Sequence, residues 1–157
     1  MTETILDTTL LSNFAHIQRA DLLRAALGGN AVTTATVLAE LRAGVALGWV
    51  PRCDWSWLTV VTLNDEEQAQ AAHYVAILDA GEAECLAIAN ARGWAFASDD
   101  LAARRLAQQA GVAVSGTLGV LQKLVAVQLL TLDEADALLA VMVARGYRAP
   151  VRALREL

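Results

Sequence analysis

Thr4–Asp7, Asn30–Thr33, Trp57–Leu63, Trp94–Ser98 and Val112–Ser115 are short runs weighted toward β-branched and aromatic side chains, and stretches of helical period separate each from the next. This alternation constrains the fold more than any other feature, because strands joined through helices pair in parallel and need helices on both faces of the sheet. The helical patterns run over Thr9–Ile17, Ala20–Leu27, Thr36–Gly44, Glu66–Leu78, Glu82–Arg92, Leu101–Gln109, Leu118–Leu129 and Glu134–Arg145. Gly93, Gly111 and Gly146 fall just past three of them, where a left-handed C-cap favours glycine. The expected architecture is an α/β fold, a three-layer α/β/α sandwich around a mostly parallel central sheet. One domain over residues 1–146 is expected, followed by a tail, 147–157, that is either frayed or partner-binding.

Within this pattern, Asp7, Glu40, Glu84 and Asp99 stand in otherwise apolar surroundings. Charged residues make up only 18% of the chain, so a carboxylate lodged in an apolar run needs a physical reason. A shared divalent cation is the most economical one. In open parallel sheets ligands bind beyond the carboxyl ends of the strands, where strand order reverses. Asp7 ends the first strand and Asp99 follows the fourth, so adjacency of those strands would bring both carboxylates to one edge.

Each acid also has a plainer reading. Asp7, before Thr8 and Thr9, can cap the next helix. Asp99 and Asp100 can do the same, one capping and the other left free. Glu40 can be a solvated residue at the edge of an apolar helical face. Glu82 and Glu84 lie about 200° apart around a helix and cannot face one point. Glu82 stands at capping-box spacing from Asp79, which leaves Glu84 as the preferred ligand and Glu82 as the second choice.

The net charge of −5 runs against a nucleic-acid ligand unless bound cations neutralise the acids. The chain has 56% hydrophobic residues but no apolar run of the roughly 18 residues that a membrane span requires. Cys53 and Cys85 form no disulfide or metal-ligand pattern, and Met1-Thr2-Glu3-Thr4 does not begin a signal peptide, so a cytoplasmic location is expected.

Taken in order, Ile5-Leu6-Asp7-Thr8-Thr9-Leu10-Leu11, Val37-Leu38-Ala39-Glu40-Leu41, Gly81-Glu82-Ala83-Glu84-Cys85-Leu86-Ala87-Ile88-Ala89, Ala97-Ser98-Asp99-Asp100 with Arg104 and Arg105, and Ser115-Gly116-Thr117-Leu118-Gly119-Val120-Leu121 resemble the ordered motifs of PIN-domain proteins. The nearest resemblance is to the toxin ribonucleases of bacterial toxin–antitoxin pairs. It implies a metal-dependent endoribonuclease that uses Mg²⁺ or Mn²⁺, an RNA substrate, an antitoxin partner and a homodimer. Carried over residue by residue, Asp7, Glu40, Glu84 and Asp99 match the acidic, catalytic and metal-binding positions, and Thr8 and Thr117 match the hydroxyl positions beside them. Glu82 and Asp100 support the site, and Arg104 and Arg105 would guide RNA phosphate. The four acids are expected to converge on one solvent-reachable point.

Other residues carry less. His16 and His73 read as surface or interface residues away from the acids, and the Trp49/Trp55/Trp57 cluster reads as a core edge or subunit contact, with stacking on RNA bases the alternative. A PIN-fold binding module with little catalysis is the second reading of the whole chain. A phosphate-transfer receiver is the third, and the position of Lys123, the only lysine, in a late helix disfavours it.

Overall fold

The computed structural model describes residues 2–157. Five strands, β1 (Thr4–Leu6), β2 (Ala31–Thr34), β3 (Thr59–Val61), β4 (Ala95–Ala97) and β5 (Val114–Ser115), form one sheet in the order β3-β2-β1-β4-β5, and every neighbouring pair is parallel. The helices are α1 (Thr8–His16), α2 (Ala20–Leu27), α3 (Ala35–Ala46), α4 (Asp65–Tyr74), α5 (Ala80–Arg92), α6 (Leu101–Gln109), α7 (Thr117–Ala126) and α8 (Leu132–Ala144). From β1 the chain steps outward through β2 to β3, then crosses back to β4 and β5. Right-handed crossovers therefore put α1, α2 and α3 on one face and α4, α5 and α6 on the other. The packing agrees: α1 contacts α2, α3 and α8, and α5 contacts α4 and α6, with α3 and α5 meeting at the edge of the sheet where Glu40 lies against Gly81. The α/β/α sandwich expected from the sequence is the fold observed.

The two inner strands carry the core. Ile5 and Leu6 on β1 and Phe96 and Ala97 on β4 are fully buried, and α5, whose Leu86 and Ile88 are also fully buried, packs against both strands. Polar side chains that accept backbone N–H groups set where most helices begin: Asp7 caps α1, Thr34 caps α3 and Asp100 caps α6. Reciprocal capping boxes open α4 (Asn64/Glu67), α5 (Asp79/Glu82) and α8 (Thr131/Glu134). Gly93 ends α5 with φ of 68°, a left-handed conformation that a side chain would strain.

The strands are shorter than their β-rich runs. The longest run, Trp57–Leu63, contributes only Thr59–Val61, because β3 is an edge strand with a partner on one side. The pattern read as a helix from Glu66 to Leu78 begins at Asp65 and ends at Tyr74. Residues 147–157 fold back on α8. Leu154 is buried, its N–H donates to Asp136 Oδ1 at 2.6 Å, and Arg155 pairs with Asp133 and Asp136.

Candidate functional site

Strand order reverses between β1 and β4, and the residues that leave those two strands are Asp7 and, after Ser98, Asp99. Asp7 is fully buried. Its Oδ1 accepts the Thr9 hydroxyl at 2.7 Å and the Leu10 N–H at 3.1 Å, so the helix-capping reading holds. Capping uses only one oxygen. Oδ2 is buried and meets no donor among the described residues. Burial above all, with a smaller push from the Asp99 charge, raises the Asp7 carboxyl to about 7 despite the nearby Ser98 and Thr9 hydroxyls and the Leu10 N–H.

Asp99 is held in the opposite way, by a full set of donors. Thr117 donates its hydroxyl to Oδ2 and its N–H to Oδ1, the latter at 2.8 Å; Asn13 Nδ2 donates to Oδ2 at 2.8 Å, and the Tyr147 hydroxyl reaches Oδ1 at 3.4 Å. The Thr9 hydroxyl accepts the Asp99 N–H at 2.9 Å while donating to Asp7, so one side chain links both acids. Thr9 and Asn13 stand four residues apart on α1 and therefore share a face. Sequence reasoning missed Asn13 and Tyr147. A signal for Asn13 was present, since it is a lone amide between Leu10, Leu11 and Phe14 on a buried helix. None was present for Tyr147, which reaches Asp99 only because the chain after α8 returns to this edge.

The glutamates divide into two groups. Glu40 Oε1 accepts the Thr8 hydroxyl at 2.6 Å. It also lies against Gly81, where a Cβ would overlap Oε1. Partial burial raises the Glu40 carboxyl, and the charges of Asp79 and Glu84 add to this. Glu84 Oε1 accepts the Thr36 hydroxyl at 3.0 Å, and its Oε2 is buried without a donor. Glu82 is more buried than Glu84, at 6% exposure. It accepts the Asp79 N–H through Oε2 at 3.3 Å. Burial first, then the charges of Asp79, Asp100 and Asp7, push it to about 8.

The structure thus brings Asp7 and Asp99 to one edge, with Glu82, Asp79 and Asp100 facing the same space. Glu40 and Glu84 lie beside it, joined to it through Thr8 and Gly81. It does not close the four acids on one point. Among the described residues, no three His, Cys, Asp or Glu side chains are arranged to hold one ion. The choice of Glu84 over Glu82 rested on the capping box occupying Glu82. That box forms, yet it engages only Oε2, and Glu82 is the glutamate that feels Asp7.

Two other expectations change, and the core-edge reading of Trp55 and Trp57 agrees with the structure. Arg104 is not a fully solvated side chain: Nη1 donates to Ser98 O at 2.9 Å and Ser115 O at 2.8 Å, tying the ends of β4 and β5 together, while Arg105 remains exposed. His16 is not remote from the acids but lines a cavity of about 370 Å³ with Asp79, Asp99 and Asp100; burial lowers its pKa, with the Arg145 charge second. Trp55 and Trp57 lie with their ring centroids 6.4 Å apart and pack at the β3 side of the core, and no tryptophan lines either cavity that borders Asp99.

An orphaned oxygen on a fully buried Asp7, a second on Glu84, and donors made wholly of carboxylates and hydroxyls fit a hard divalent cation, which takes oxygen ligands. No helix among the described residues is long and apolar enough to cross a membrane. A family model described as a PIN domain matches residues 3–157. No curated protein and no solved structure matches the chain.

Proposed function

This chain belongs to the PIN-domain family, whose members are typically metal-dependent nucleases, and on that premise we propose that it is an endoribonuclease that hydrolyses RNA phosphodiesters with Mg²⁺ or Mn²⁺. One observation carries the reading: Asp7, fully buried at the strand-order reversal, keeps one oxygen without a donor and lies within electrostatic reach of Asp99 and Glu82. Leaving a carboxylate in that state without a cation is costly.

Asp7 and Asp99 would hold the cation, and Glu82 is a glutamate whose charge lies close to Asp7. When bound, it would supply the positive charge that activates a water and stabilises charge growing on the phosphate. The chain's own residues do the positioning. Thr117 and Asn13 fix the Asp99 carboxylate in one orientation, and Thr9 keeps Asp7 and Asp99 in register. Thr8 does the same for Glu40.

In the same reading the protein is the toxin of a cytoplasmic toxin–antitoxin pair. A cavity of about 580 Å³ lined by Leu38, Leu41, Val45, Trp55 and Leu58, next to the exposed edge strand β3, supports an antitoxin contact. Exposed Val127, Leu129, Val141 and Val143 around α7 and α8 support a homodimer. The open arrangement of the acids favours the other reading, a PIN-fold binding module with little catalysis.

Incubation of the purified chain with single-stranded and structured RNA in Mn²⁺ or EDTA, beside Asp7→Asn, decides between them. The nuclease reading expects Mn²⁺-dependent cleavage that falls at least a hundredfold in the variant, a scale typical of losing a group that stabilises the transition state. Cleavage that survives EDTA or the substitution sinks the metal mechanism, and binding without cleavage favours the module.

A further inference from the structure

Two cavities flank the Tyr147–Asp99 hydrogen bond, one of about 540 Å³ and one of about 370 Å³. Asp99, Asp100, Tyr147 and Arg148 border both. Tyr147, Arg148 and the two acids therefore stand where the cavities adjoin. The space poses an electrostatic problem. A phosphodiester arriving here meets Asp79, Asp99 and Asp100, all of like charge to itself. The cations that line the two cavities are Arg104, Arg145 and Arg148. Arg104 Nη1 is occupied by two backbone carbonyls. Arg145 and Arg148 are exposed, and neither forms an ion pair among the described residues despite the acids nearby.

We propose that Tyr147 and Arg148, at the start of the C-terminal extension, form a clamp for an extended single strand of RNA that runs past the acids from one cavity into the other. Arg148 binds a backbone phosphate, with Arg145 beside it, and the Tyr147 ring carries a base. Each cavity has the size of a small-ligand site and accommodates about one nucleotide. Guanidinium suits the phosphate because its fork of donors matches the oxygens of that group, and aromatic stacking accepts any base. This inference rests on the ribonuclease reading, but it concerns binding and is separable from cleavage.

The test is fluorescence anisotropy with labelled single-stranded oligouridine in Mg²⁺ over a range of salt, on the full chain carrying Asp7→Asn, with Arg148→Ala, Arg148→Lys, Tyr147→Ala and Tyr147→Phe added singly. Arg148→Ala should weaken binding roughly tenfold and reduce the slope of log affinity against log salt by about 0.7, the loss of one phosphate contact on a single strand. Arg148→Lys should restore part of that. Tyr147→Ala should weaken binding with the salt slope unchanged, and more than Tyr147→Phe, which keeps the ring. With Asp7 intact, Arg148→Ala should raise KM and leave kcat within about twofold.

Affinity and salt slope that do not respond to Arg148→Ala overturn the clamp, even if the parent cleaves RNA normally. Failure of the Asp7→Asn chain to bind oligouridine at low salt also overturns it. If the parent never cleaves RNA but binding still depends on Arg148 and Tyr147, the clamp stands and the nuclease reading falls.

Discussion

Gly81 shows how a single hydrogen atom in place of a methyl group positions a neighbouring carboxylate. It is buried near the start of α5, and the space a Cβ would need is already filled by Glu40 Oε1 and crowded by Val37. Gly81→Ala should therefore expel Glu40 from the Thr8 hydroxyl while α5 gains helix propensity. The expected result is a loss of Mn²⁺-dependent cleavage of at least tenfold, with circular dichroism unchanged and stability within about 2 kcal/mol of the parent. Full activity in Gly81→Ala would mean that the position of Glu40 does not matter to the reaction. Gly116 offers a similar case beside Asp99: a Cβ there would lie 2.6 Å from Oδ1 and 2.8 Å from Arg104 Nη1. Both glycines belong to motifs visible in the sequence, but neither has a left-handed φ, so the need for glycine comes from neighbours distant along the chain.

Between elements, the face of the sheet opposite α1 depends on one buried ion pair. Glu67 on α4 is fully buried and accepts Arg92 of α5 through both oxygens, at 2.8 Å from Nε and 2.9 Å from Nη2. Arg92 Nη2 also donates to Thr62 O at 2.8 Å, and its guanidinium lies 5.0 Å from the Trp94 ring centroid. One side chain thus ties together α4, α5, the end of β3 and the start of β4. Removing a single partner strands the other charge, so Glu67→Ala should destabilise the protein by about 3 kcal/mol in chemical denaturation. A loss below about 0.5 kcal/mol would show that solvent reaches Arg92 readily. The Arg92 hydrogen bonds hold the Glu67 carboxyl below its ordinary range, so this contribution is present above about pH 4.5 and lost as pH falls through the lowered value. Glu67 was legible only as a helix-start acid; the partner twenty-five residues later was not.

At the scale of the molecule, the acid edge works against stability until something neutralises it. Asp7 and Glu82 are raised to about 7 and about 8, so the folded chain holds protons that the unfolded chain releases near pH 4. A raised folded value means stability is greatest below the unfolded value and declines as pH rises through the folded one. In EDTA the melting temperature should therefore fall between pH 6 and pH 8.5, by several degrees for a shift of a few kcal/mol. Asp7→Asn should raise and flatten that profile. Excess Mn²⁺ should restore the parent at pH 8.5, since a cation at about a hundred times its dissociation constant adds roughly 2.7 kcal/mol, and should do much less for the variant. A parent that melts identically at both pH values, or a variant that responds fully to Mn²⁺, would contradict the arrangement.

The periodicity of the chain determined by itself that helices alternate with strands, and hence that the sheet is parallel and sandwiched. It also marked Asp7 and Asp99 as strand-end acids, because both signals are local: a side chain's spacing along the chain dictates which face it presents. The tertiary structure alone decided which acids share a space. Glu82 is buried within reach of the Asp7 charge because α5 begins at Ala80 and its N3 side chain turns back to the cap. Asn13 and Tyr147 reach Asp99 across eighty-six and forty-eight residues. Hydrogen bonds act over about 3 Å, so partners this far apart in sequence meet only after the sheet order and the return of the C-terminal segment are set.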